Sequence, residues 1–397
     1  MKKYLLLTIL MFGCMAAAKA ETPKVIHSVG GDVRGAYVLS SSNNLLFGNQ
    51  DAETFTGLHP SEYIRSMMSV HAKYSFGYTS ATRAGRLYPE AYQGMGMSVT
   101  RFSKTRPVGT PVSLYFFQGA PIKHFSPRLS MGYEWNFGIS AGWHKSTMAV
   151  APDANIFVGS RFNAYINLGF VLDYRLTDAL TLRGGVEMTH FSDGNTSLPN
   201  PGVNAVGARI GVSYALGRSK DIPAAVPPLP EEVVRPHWSY DILAYGSASK
   251  KAVTIEDRRV AVPGKFGLCG LMFSPMRTVN QYFRYGGALD LKYDAGTNLQ
   301  SHIREGSTPH DVMVSMAPSR ERLIAGLSAR AELVMPVFSV NVGLGRNLLC
   351  VSSARKFYQI ANLRIHPFRS VWLNIGYQLH SFRHPDNLVL GVGYTIR

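Results

Sequence analysis

The stretch Ser160–Arg175, SRFNAYINLGFVLDYR, decides how the chain is read. Phe162, Ala164, Ile166, Leu168, Phe170, Leu172 and Tyr174 share one parity, while Arg161, Asn163, Asn167, Asp173 and Arg175 share the other. Successive side chains of an extended strand point to opposite faces, so this is a strand with one apolar and one polar wall. Strands of soluble sandwiches usually run ~5–6 residues. A longer alternation with charge on one side suits a wall between lipid and a polar lumen. The stretch RLSMGYEWNFGI, 128–139, repeats the pattern: Leu129, Met131, Tyr133, Trp135, Phe137 and Ile139 are expected outside, and Ser130, Gly132, Glu134 and Asn136 inside.

Across residues 21–217, segments of this kind begin near Val25, Met67, Tyr92, Gly109, Arg128, Phe157, Ala179 and Val203. About eight strands make the smallest common membrane barrel, with an interior filled by side chains. The proline-rich, charged stretch 218–237 cannot continue a ladder and is read as an aqueous linker. From Trp238 to Arg397 the pattern resumes, again with about eight candidate strands. VWLNIGYQLHSF followed by NLVLGVGYTI parallels LTLRGGVEMTHFS followed by VNAVGARIGVSYAL. The expectation is an all-β chain: a transmembrane antiparallel barrel at 21–217 and a second barrel-like domain at 238–397. One larger barrel of about sixteen strands is the alternative.

The amino terminus reads as a signal peptide at 1–20: Lys2 and Lys3, an apolar run from Tyr4 to Met15, and AAAKA ending at Ala20. Cys14 as a lipid-modified residue is the alternative. Export through such a leader, followed by barrel strands, implies the outer membrane. Cys269 and Cys350 are left as a disulfide pair or as unpaired wall residues. The net charge of +16 invites a nucleic-acid partner. Arg and Lys, however, read as scattered singly at strand ends and loops, without a basic run or zinc-ligand spacing, which argues against one. A surface of phosphorylated lipopolysaccharide would attract the same charge, and general solubility would also explain it.

In LTLRGGVEMTHFS, 180–192, the residues Leu180, Leu182, Val186 and Met188 form the apolar face. Continuing that parity places His190 and Ser192 against lipid. The next strand points Asn204 outward with Val206, Ala208, Ile210, Val212, Tyr214 and Leu216. Three polar side chains then stand on the lipid face, where unpaired polar groups are expensive. Residues i and i+2 of a strand share a face, so His190 can reach the Ser192 hydroxyl while Asn204 orients the ring. That is the nucleophile, base and orienter logic of a serine hydrolase. Asp193 and Gly194 follow as candidates for aiming backbone N–H groups at an oxyanion. Contact with lipid headgroups is the plainer account of the trio. A second HFS, at His124–Ser126, is expected on the lumen side and is read as a decoy. In LHSF, His380 and Ser381 fall on opposite faces, so no such pair forms in the second half.

The stretch THFSDGNTSLPNPGVNAVGARIGVSY, 189–214, resembles the carboxy-terminal hairpin of the PagL-type lipid A 3-O-deacylases, eight-stranded outer-membrane barrels. The resemblance implies His190 as base, Ser192 as nucleophile, Asn204 as third member, and Pro199, Asn200 and Gly202 as the turn before it. That family usually carries Glu at the position of Asn204, whereas outer-membrane phospholipase A, which the site also resembles, carries Asn. Both commonly have Asn directly after the serine, where this chain has Asp193. The function implied is an outer-membrane serine esterase that removes an ester-linked acyl chain from lipid A. A phospholipase A on the same site, or a catalytically inactive structural or channel barrel, are the alternatives. No cofactor or metal is expected. The expected partners are lipopolysaccharide and the outer membrane, with a homodimer left open.

Overall fold

A strand that crosses hydrocarbon must satisfy every backbone N–H and C=O within the protein, which leaves a closed ladder as the only all-β solution. The computed structural model contains two such ladders. It describes residues 24–39, 64–103, 108–144, 158–194, 196–198, 202–216, 233–256, 258–308, 311–350, 356–380 and 384–397. The leader at 1–20, Cys14, Pro199, Asn200, Ser381 and residues 218–232 of the expected linker lie outside them.

The first barrel comprises β1 (Val25–Val38), β2 (Ser66–Tyr78), β3 (Tyr92–Phe102), β4 (Gly109–His124), β5 (Leu129–Trp143), β6 (Phe162–Arg175), β7 (Leu180–Ser192) and β8 (Val203–Leu216). Each strand pairs with the next, and β8 returns antiparallel to β1. A short helix, α1 (Arg83–Leu87), lies between β2 and β3, with the Thr82 hydroxyl accepting from the Gly85 amide. The expected starts lie close to the observed ones, except that β6 begins at Phe162 rather than Phe157.

The second barrel comprises β9 (His237–Ser249), β12 (Phe266–Thr278), β13 (Phe283–Asp294), β14 (Leu323–Val334), β15 (Phe338–Leu349), β16 (Phe357–Ile365), β17 (Val371–His380) and β18 (His384–Ile396). It closes through β18 against β9. A separate hairpin, β10 (Ala252–Ile255) with β11 (Arg258–Ala261), stands outside the ring and was not anticipated. Two closed rings replace the single sixteen-stranded alternative. Cys269 on β12 and Cys350 after β15 form no disulfide.

Parity behaves as the alternation requires. Phe162, Leu168, Phe170, Leu172 and Tyr174 are exposed on the outside of β6, whereas Asn163 and Asn167 are buried within. The upper lumen of the first barrel is filled by Phe102, Tyr115, Phe117, Trp143, Tyr165 and Phe191. A buried ion network fills another part. Glu134 accepts from Lys73 Nζ at 2.5 Å and from Arg209 at 2.6 Å, and Arg183 lies 3.4 Å away. Arg34 joins Asp32 at 2.5 Å and Glu187 at 3.0 Å. The second lumen repeats the device: Arg364 is 2.7 Å from both Asp241 and Glu332, and Arg330 is 2.6 Å from Asp290. These cations correct the expectation that basic residues sit only at strand ends and loops. Pairing inside a lumen is what lets a wall residue keep its charge.

The expectation for His124 is corrected as well. The β4–β5 ladder shifts between Pro121 and Lys123, which breaks the alternation, and His124 stands half-exposed at the strand end, 3.4 Å from Glu90. Ser126 is a turn residue whose hydroxyl accepts from the Arg128 and Leu129 amides.

The two barrels stand side by side, and one outer patch of the first is buried because the second covers it. Trp135 packs edge-on to Phe338, ring centroids 5.0 Å apart at 90°, beside Met335 and Leu363. Gln118 has the outward parity of β4 yet is fully buried there. Its carbonyl accepts from Trp135 Nε1 at 2.7 Å, and its amide donates to Tyr133 Oη at 3.3 Å. Elsewhere along the contact, Tyr88 Oη donates to the Gln281 carbonyl at 2.7 Å, and Tyr282 Oη to the Leu87 carbonyl at 3.1 Å. This apolar cover comes from the same chain, so it does not call for the homodimer the sequence left open.

Glu134→Gln leaves three buried cations short of a negative charge. It is expected to destabilise the first barrel by about 3–5 kcal/mol, the usual cost of breaking a buried pair. The midpoint of urea unfolding in detergent, followed by the gel-mobility change of the folded barrel, measures this; an unchanged midpoint contradicts the role given to the network.

Candidate active site

The site is built at one end of the β7–β8 hairpin. Connections 39–65, 103–108, 144–161 and 193–202 leave the first barrel at this end, and 79–91 with the tight turns 125–128 and 176–179 leave at the other. Residue 190 of β7 stands directly opposite residue 204 of β8, and residue 192 opposite Ala164 of β6. The neighbours Thr189 and Phe191 point inward and are buried, which fixes His190 and Ser192 on the outer face. The outward set of β8 continues through Val206, Ile210, Val212 and Tyr214, all exposed.

His190 spans the other two residues. Its Nδ1 is 2.7 Å from Asn204 Oδ1 and its Nε2 is 2.9 Å from Ser192 Oγ. An amide oxygen only accepts, so the proton sits on Nδ1, and Nε2 is left to accept from the serine hydroxyl. This tautomer is the one a base needs in order to take a proton from Ser192. Asn204 Nδ2 is buried and has no hydrogen-bond partner among the described residues.

Gly202, the described member of the expected supporting turn, has φ +71, a region that favours glycine. A Cβ there would lie 2.7 Å from the Phe191 carbonyl and 3.2 Å from His190 Cε1. The residue therefore admits both the turn and the imidazole. Asp193 is buried beside the serine, and its carbonyl accepts from the Thr196 hydroxyl at 2.8 Å. Gly194 also has positive φ, +67.

Ser192 is only 6% exposed although it faces away from its own barrel. The cover includes a residue that the strand pattern did not single out. Tyr377 of β17 brings its hydroxyl to 3.5 Å from Ser192 Oγ. In sequence, Tyr377 is one more aromatic on a lipid-facing parity, and nothing in periodicity says which wall it meets.

A second serine–histidine contact also escaped the sequence reading. Ser69 Oγ lies 2.9 Å from His71 Nε2, and His71 Nδ1 lies 2.8 Å from Tyr115 Oη. The pattern resembles that at His190, but Ser69 and His71 are buried with Tyr115 in the lumen. A lipid acyl chain reaches the outside of a barrel, not its packed interior, so this arrangement reads as a satisfied polar core.

The frame is a β-barrel membrane protein with polar side chains gathered on its outer wall. Residues 69–213 match the family described as Lipid A 3-O-deacylase (PagL), and residues 238–397 match the Acyloxyacyl hydrolase, C-terminal domain. Between them the matches take in most of both barrels, and the chain belongs to the PagL lipid A 3-O-deacylase family, a family of hydrolases. A crystal structure of the outer membrane enzyme PagL is 13% identical, with a TM-score of 0.29 over 45% of this chain and 97% of that one. The ferric enterobactin receptor PfeA of Pseudomonas aeruginosa is 9% identical, with a TM-score of 0.21 over 92% of this chain and 45% of its own. The toluene transporter TbuX of Ralstonia pickettii is 8% identical, with a TM-score of 0.18 over 95% and 90%. None of these three likenesses bears on the site. Among curated proteins, none matches the chain.

Gly202→Ala is expected to displace the His190 ring while leaving the barrel folded, and to lower deacylation by about 100-fold, the cost of misplacing a reacting group by about 1 Å. Initial rates on purified lipopolysaccharide, beside the gel mobility of the folded barrel, test this; wild-type rates would contradict the close fit.

Proposed function

We propose that Ser192, His190 and Asn204 form the catalytic triad of an outer-membrane serine esterase that removes an ester-linked acyl chain from lipid A. The observation that carries this reading is the bridging position of His190, 2.9 Å from Ser192 and 2.7 Å from Asn204, on the outer face of the first barrel.

The chemistry follows from those contacts. As Ser192 Oγ forms a bond to the ester carbonyl carbon, His190 Nε2 takes the hydroxyl proton and the carbonyl π electrons move onto oxygen. Reformation of the carbonyl expels the sugar or acyl alkoxide, to which His190 returns the proton. Water then repeats the sequence on the acyl-serine and releases the fatty acid. Asn204 holds the ring in its productive tautomer throughout. No metal or cofactor enters the scheme.

Membrane orientation supports lipid A as substrate. Short turns of outer-membrane barrels face the periplasm and longer connections face outward. The trio stands at the end from which 39–65 and 144–161 depart, and hence by the outer leaflet, where lipid A resides. The substrate diffuses in the membrane and presents its acyl chain to the barrel wall.

Mass spectrometry of lipid A from cells expressing wild type or Ser192→Ala tests the proposal. Loss of one acyl chain only with the wild type is expected. Identical lipid A in both would overturn it, and fatty acid released from phospholipid instead would assign the site to a phospholipase A. Asn204→Asp, which keeps an acceptor toward Nδ1, is expected to retain activity, whereas Asn204→Ala should lower kcat by about 10- to 100-fold. Such a loss is at the modest end of what base catalysis contributes. Equal rates for the two variants would remove Asn204 from the triad.

A further inference from the structure

We propose that the second barrel completes the active site of the first, with the Tyr377 hydroxyl donating a hydrogen bond to the oxyanion that forms when Ser192 attacks the ester. This rests on the esterase reading above and adds a role for residues 238–397, where the described serine–histidine contact, Ser339 Oγ to His366 Nε2 at 2.9 Å, belongs to a serine fully buried inside that barrel and donating to Glu332.

Tyr377 Oη is 3.5 Å from Ser192 Oγ. In a tetrahedral intermediate the oxyanion is bonded to the same carbon as Oγ, so a donor at this range of Oγ can approach it at the ~2.7–3.1 Å that oxyanion stabilisation requires. The phenol is held by its surroundings. Tyr377 is paired across the ladder with Leu388 of β18. A Cβ on Gly194 would lie 2.5 Å from Tyr377 Oη and 2.8 Å from Leu388 Cγ. The absence of a side chain at Gly194 is thus what lets the second wall approach the nucleophile. The inward neighbours of Tyr377, Gly376 and Gln378, are buried, which fixes its outward parity.

A donor from the second barrel also answers a local difficulty. The side chain after the nucleophile is that of Asp193, and a carboxylate accepts but does not donate. A phenol supplies the O–H that this neighbour lacks. It transfers no proton in the scheme: the hydrogen bond strengthens as charge develops on the carbonyl oxygen and relaxes when the carbonyl reforms.

The experiment compares wild type, Ser192→Ala, Tyr377→Phe and Leu388→Ala as full-length chains in detergent, acting on purified lipopolysaccharide. Tyr377→Phe keeps the ring and removes only the hydroxyl. It is expected to lower kcat by about 100- to 1000-fold with KM unchanged, the loss typical of removing one oxyanion donor. Leu388→Ala alters packing alone and is expected to fall far less in kcat. If Tyr377→Phe turns over at the wild-type rate while Ser192→Ala is inactive, the second-barrel donor is refuted and the esterase stands. If Ser192→Ala remains active, the esterase reading itself fails. Equal kcat losses in Tyr377→Phe and Leu388→Ala would make Tyr377 a packing residue and overturn its role as donor.

Discussion

Closure of the backbone ladder in an apolar medium is the constraint on which the rest of this molecule depends. Once each strand must give all its N–H and C=O groups to neighbours, its side chains have two destinations, and parity assigns them. Hydrocarbon tolerates Phe170 and Ile210 on the outside, so polar residues of the same strands collect within, where they must satisfy one another. The Glu134, Lys73 and Arg209 cluster is the consequence. It lets a barrel too narrow for a channel keep charged side chains in its wall without exposing them to lipid.

Against that rule, polar residues of outward parity are informative, and two such groups in the first barrel, both beneath the second, differ in kind. Gln118 is satisfied by Trp135 and Tyr133 beneath the second barrel. His190, Ser192 and Asn204 satisfy each other across one hairpin and lie under the same neighbouring wall. The difference is chemical. Gln118 ends in a closed set of neutral hydrogen bonds, whereas the trio ends in a hydroxyl poised on a basic nitrogen.

Much of this was legible in the sequence because it depends only on period and parity. The eight strands of the first half, the outward direction of His190 and Ser192, and the cross-strand place of Asn204 all follow from alternation along short stretches. What alternation does not contain is which wall faces which. Arg34 meets Glu187 across a lumen, 153 positions apart in sequence, and Tyr377 meets Ser192 across two barrels. Both depend on ring closure and packing, which no local window reports. The misplacement of basic residues at strand ends has the same origin, since a lone Arg in a strand becomes tolerable only when its partner arrives from a distant one. His124 failed for a local reason, a register shift at Pro121 that ends the period on which the expectation relied.

The choice of Asn at 204 fits the site's surroundings. A carboxylate there would stabilise the imidazolium that forms during the proposed reaction, but it would also place a full charge on the buried outer wall of a barrel before any substrate arrived. The amide of Asn204 orients His190 at much lower desolvation cost, because its oxygen meets Nδ1 and only one donor group is left without a partner among the described residues. Neutrality gives up part of the electrostatic help that a charged third member would provide. A site so built gains from a donor placed on the developing oxyanion instead, where charge appears only as the bond to Ser192 forms. On the proposed scheme, the second barrel supplies that donor while the trio stays uncharged at rest.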